Sequence, residues 1–101
     1  MVDQDAVLRA RMLLTTTDRR VLRGPDALGV YRLMTSVAPE VYGSKLAYVL
    51  VEAAGSPALR DLPQARASLL DEAVAVAQAL EERNPFRAKV LARALAARQA
   101  L

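Results

Sequence analysis

Two pairs of adjacent carboxylates, Asp71–Glu72 and Glu81–Glu82, are the first groups to weigh for acid–base chemistry in this chain. Paired acids do such work only when both reach one reacting atom. Neighbouring residues on a helix point about 100° apart, so neither pair converges, and both read as solvated helix surface. Hydroxyl nucleophiles are available at Ser36, Ser44, Ser56 and Ser68 and at four threonines. None has an imidazole to activate it, because the chain has no histidine, and there is no cysteine to replace the hydroxyl. The same two absences remove the commonest metal ligands, and no Glu-x-x-His or calcium-loop spacing occurs. Gly24, Gly29 and Gly43 are isolated, so no glycine-rich phosphate loop forms. The expectation is a protein that is not an enzyme, with no catalytic residues, no metal and no cofactor.

The elements that must position any functional side chain announce themselves by self-similarity. Residues 26–50 read DALGVYRLMTSVAPEVYGSKLAYVL, and residues 72–95 read EAVAVAQALEERNPFRAKVLARAL. Ala27, Val30 and Pro39 fall on Ala73, Val76 and Pro85, each 46 positions on. Past the prolines the spacing is 45, and Leu46, Ala47 and Leu50 fall on Leu91, Ala92 and Leu95. A helix, a proline break and a second helix, occurring twice, is the mark of a stacked helical array.

Residues 3–14 carry helical spacing through Val7, Leu8, Met12 and Leu14, with Asp3 as the cap. Thr15, Thr16 and Thr17 interrupt it, since β-branched hydroxyl residues suit turns and caps. Asp18 opens a short turn that Gly24–Pro25 punctuates. A second helix then runs to Val37 on a stripe of Ala27, Val30, Tyr31, Met34 and Val37. Pro39 opens the third, to about Ala54, with Leu46, Ala47, Leu50, Ala53 and Ala54 on one face. Gly55–Ser56–Pro57 stops it, and residues 58–61 are a loop or a single turn. Asp61 caps the longest helix, which carries Pro63 in its first turn, runs to about Arg83 and presents Leu62, Ala65, Leu69, Ala73, Val76 and Leu80. Pro85 opens the last helix, to Leu101. The fold class is all-α: about five helices as antiparallel hairpins, stacked in an array or a small bundle. Residues 1–101 form a single helical domain, with residues 1–24 an N-terminal helix and basic turn and residues 26–101 the repeat-like hairpins.

These hairpins resemble tetratricopeptide-type repeats, most closely the long-helix variants found in bacterial regulatory proteins. The residues carrying the resemblance are Pro39, Tyr42, Leu46, Ala47 and Leu50, then Leu62, Pro63, Gln64 and Ala65, then Leu69 through Val74. A further half repeat holds Asn84, Pro85, Leu91, Ala92 and Leu95. The period departs from the usual form, which is about 34 residues. The Trp and Gly of the family signature are missing, and Arg66 stands where a small residue belongs. The resemblance implies a protein-binding function, with the first helix of each pair lining a concave surface. Carried over, that places Ser44, Tyr48 and Val51 beside Phe86, Lys89 and Arg93. A tyrosine with a lysine and an arginine suits an acidic or carboxylate-bearing peptide.

Charge supplies a competing reading. Net charge is +3, distributed as +2 over residues 1–24, −4 over residues 25–82 and +5 over residues 83–101, which hold no acid. Arg9, Arg11, Arg19, Arg20 and Arg23 at one end, with the bases of the last helix at the other, would neutralise phosphates of a nucleic acid. No aromatic residue interleaves them, which counts against single-strand stacking. The segment after Pro25 is too apolar for a recognition helix. The longest apolar run near the middle, Leu46–Val51, is far short of the ~20 residues of a membrane span. The N-terminus lacks a signal-peptide core, so a cytoplasmic location is expected. Surplus Ala, Leu and Val stripes want cover, so self-association as a homodimer is expected, unless flanking helices cap the array or the chain is part of a longer one.

Overall fold

A computed structural model describes residues 4–15 and 26–101, with side chains for residues 4–12 and 26–101. Five α-helices run in order: α1 (Gln4–Thr15), α2 (Ala27–Val37), α3 (Pro39–Ala54), α4 (Pro63–Ala79) and α5 (Arg87–Gln99). A 3-10 turn, Pro57–Leu59, joins α3 to α4, and among the described residues there is no strand. The all-α class therefore holds. The expectations for Asp3, Leu14, Thr16, Thr17 and Asp18 lie outside the described side chains or residues.

Helix α3 is the centre of the packing, in contact with α2, α4 and α5. One face of it meets α2: Leu46, Val49 and Leu50 share a cluster with Ala27 and Tyr31, into which Ala73 and Ala94 also pack. A second cluster joins Ala47 to Ala77, Leu80 and Val90, binding α3 to α4 and α5. A third closes α1 on α2 through Val7, Ala10, Val30 and Met34. Alanine at so many of these positions lets the helix axes approach closely. At Gly43 an added Cβ would stand 2.8 Å from a Leu80 methyl.

Several expectations move by a fraction of a turn. Leu8 and Met12 are not core; they are 56% and 64% exposed, and Val7 with Ala10 faces inward instead. Val37 is exposed at the end of α2. On α4 the buried stripe is Leu70, Ala73, Ala77 and Leu80, whereas Leu62 and Ala65 are exposed and Leu69 and Val76 half-buried. Asp61 does not cap α4: Leu62 holds that position, with no side-chain hydrogen bond. Gly55 ends α3 at φ −87°, outside the left-handed region.

Helix α4 stops at Ala79, four residues before Arg83, and the cause is tertiary. Leu80 turns extended (φ −66°, ψ 148°) while its side chain stays buried. The Glu81 N–H then donates to the Glu40 carboxylate of α3, at 3.2 and 3.1 Å, instead of to its own helix. Arg87 donates to the carbonyls of Leu80 (3.0 Å) and Gln78 (3.4 Å), satisfying oxygens that the shortened helix leaves open. Helix α5 starts at Arg87, two residues past Pro85, because the Asn84 side-chain oxygen accepts the Phe86 N–H at 3.0 Å in a local turn.

Candidate functional site

The candidate groove draws on α3 and α5, so the relation of these helices decides whether its residues can meet. Glu40, in the first turn of α3, reaches Asn84 just before α5: the Asn84 amide donates to the Glu40 carboxylate at 2.9 Å and to its carbonyl at 3.2 Å. Further along, Tyr48 of α3 reaches Arg93 of α5. Both contacts advance in the same direction, so α3 and α5 run parallel, and positions matched in sequence lie side by side.

Tyr48 and Arg93 are such a matched pair, 45 residues apart, and the fold brings them together. The Arg93 guanidinium carbon lies 4.2 Å from the Tyr48 ring centroid, within cation–π range. One guanidinium N–H also donates to the Tyr48 backbone carbonyl at 3.3 Å. Both side chains are half-buried, and Tyr48 and Val51 pack against the α2–α3 cluster. The ring plane and the carbonyl fix the guanidinium, whose planar fork of donors matches a carboxylate. Ser44 is half-buried on α3, four residues before Tyr48, while Phe86 and Lys89 are exposed at the start of α5. Among the described residues Lys89 has no ionic partner, and neither Phe86 nor Ser44 contacts Arg93 through a polar bond.

Most other bases of the last stretch are engaged within the chain. Arg98 of α5 pairs with Asp71 of α4 at 2.8 Å, and Arg83 with Glu81 at 2.6 Å. Arg87 closes the end of α4, as described above. On α2, Arg32 grips both oxygens of Glu72, at 2.9 and 2.6 Å. That hydrogen bond, with the Glu72 charge behind it, raises the Arg32 pKa above its ordinary value. Asp71 and Glu72 thus point to different helices, as their adjacency requires, and serve as ties between elements. Among the described residues no three acidic side chains gather where they could hold a metal ion.

For the alternative basic patch, Arg9 and Arg11 are exposed on α1, and Arg19, Arg20 and Arg23 lie outside the described residues. Two residues apart on a helix, Arg9 and Arg11 project to nearly opposite sides. Among the described residues no helix is long and apolar enough to cross a membrane. Glu40 is the residue that sequence reasoning missed: it is tied to Asn84, and nothing in their spacing pairs them.

No protein-family model matches the chain, and no match was found among the curated proteins or the solved structures. The resemblance to tetratricopeptide-type repeats therefore rests on the residues of this chain alone.

Proposed function

We propose that this chain is a non-catalytic interaction module, an adaptor or regulatory subunit that recognises an acidic peptide segment along the seam of α3 and α5. The observation that carries this reading is the Arg93 guanidinium held over the Tyr48 ring. A cation fixed by stacking loses little freedom when it meets a carboxylate, so recognition there costs less ordering. Lys89 lies one turn before Arg93 on the same helix, exposed, where it adds a second positive charge. Phe86 offers exposed aromatic surface at the head of that helix. Self-association belongs to the same proposal and is supported by Leu8 and Met12, four residues apart on α1 and both exposed.

The test is tagged capture from native-host lysate, with and without nuclease, read by mass spectrometry. The wild-type chain should retain a protein partner after nuclease treatment. The double variant Tyr48→Ala/Lys89→Glu should lose that partner while keeping its far-ultraviolet helical signal, and Lys89→Glu alone should weaken capture. Binding unchanged in the double variant removes the groove. Capture that collapses with nuclease transfers the function to the arginine clusters and a nucleic acid.

A further inference from the structure

The outer face of α5 repeats a face of α3 that is buried. On α3, the residues covered by α4 are Gly43, Ala47, Leu50 and Ala54. Gly43 lies against Leu80 and Val76, Ala47 packs with Ala77 and Leu80, and Leu50 packs with Ala73. The Ala54 carbonyl accepts the Arg66 side chain of α4 at 3.1 Å. Forty-five positions on, α5 carries Ala88, Ala92, Leu95 and Gln99 at the matching places, with Ala96 matching Val51. All five are exposed, Leu95 to 41%. The opposite side of α5, Val90 and Ala94, is buried against the body of the protein, and Ala94 matches Val49, which packs in the α2–α3 cluster. Helix α5 therefore presents the complement of a helix of the α4 kind.

Charge identifies the occupant. Helix α5 holds Arg87, Lys89, Arg93 and Arg98 and no acid. Lys89 is exposed beside Ala92, three residues away on the helix, and has no ionic partner among the described residues. Of the two end helices that a second copy would bring, another α5 is equally basic, and among the exposed residues of α1 Arg9 and Arg11 outnumber Asp5. Both meet α5 with like charge. The helix that covers the matching face of α3 lies in a segment, residues 61–83, with five acids against two bases. We infer that the Ala88–Ala92–Leu95–Gln99 face of α5 docks an acidic amphipathic helix from a partner protein. Its Leu and Ala side chains would enter the stripe, and its acids would face Lys89. This face borders the Tyr48–Arg93 seam and shares Lys89 with it, but its apolar stripe is separate, and Leu95→Glu tests that stripe without touching the seam.

The probe is an acetylated, amidated peptide of this chain's own residues 61–83, titrated into the isotope-labelled full chain and followed by amide shifts. Saturable shifts should cluster at Ala88, Ala92, Leu95, Ala96 and Gln99 by ~1 mM peptide. Leu95→Glu should weaken binding about tenfold or more, the loss of one buried leucine. Lys89→Glu should weaken it by a smaller factor, and high salt should do the same. Leu95 and Lys89 are surface positions, and retained far-ultraviolet circular dichroism verifies each variant. Any of four results overturns the inference: no saturable shifts, shifts confined to the Gly43 face, indifference to Leu95→Glu, or equal binding by a peptide with its acids changed to lysine. A wild-type dimer that Leu95→Glu dissociates in light scattering would make a second copy the occupant and overturn it equally.

Discussion

Glu40 holds more of the molecule together than its place in a helix's first turn suggests. Its carboxylate accepts from the Glu81 N–H and the Asn84 amide, and its own carbonyl accepts from Asn84 again. Hydrogen bonds to a charged acceptor contribute about 1.5–3 kcal/mol when sheltered, and less where water competes. Glu40→Ala should therefore cost about 1–2 kcal/mol in urea unfolding, and Glu40→Gln, which keeps one acceptor oxygen, should recover part of it. An unchanged urea midpoint in Glu40→Ala would mean that the α4–α5 turn holds its shape unaided. The repeat resemblance set Tyr48 on the same surface as Arg93, and the two side chains are in contact. The role of Glu40 was not legible in the sequence, because a hydrogen bond across 41 residues between a carboxylate and a backbone amide leaves no periodic trace.

At the scale of elements, the proline breaks and apolar spacing located α3 and the end of α2, since Pro39 and Gly55 bracket α3 on both sides, while α2 itself begins at Ala27. The end of α4 was misplaced because helix propensity favours continuing through Glu81–Glu82, while Leu80 is drawn into the core beside Gly43. The buried stripes of α1 and α4 were offset for a related reason. Alanine-rich helices are apolar on several sides, so pattern alone does not choose which side faces in. Gly43 packs closely against Leu80 and Val76. Gly43→Val should destabilise the fold by about 1–3 kcal/mol, as expected for overfilling a close helix contact, with a lowered midpoint in thermal melts. A melt equal to wild type would show that Leu80 swings aside without loss.

Over the whole molecule, the radius of gyration of 13.5 Å matches the ~13 Å of a compact chain this long. Both ends of the helix series nevertheless leave apolar side chains in solvent, Leu8 and Met12 on α1 and Leu95 on α5. The self-association proposed above predicts a dimer at micromolar concentration in light scattering, reverting to monomer in Leu8→Glu/Met12→Glu. A wild-type monomer under those conditions would remove self-association and leave the partner-binding readings intact. The hairpin order and the all-α class were readable from the sequence. Which faces stay open was not, because exposure depends on which helix lies outside which.

The central position of α3 also sets an order of opening. Its contacts to α2, α4 and α5 bridge the chain, whereas α1 is held by α2, and α5 keeps one whole side in water. Local opening that releases α1 breaks one interface and release of α5 breaks two, while release of α3 breaks three, so amide protons on α3 can exchange with solvent only through near-global unfolding. Amides of Ala47 and Leu50 should then be the slowest in native-state hydrogen exchange, and those of α1 and α5 should exchange first, each flank melting from its own end while the middle helix persists.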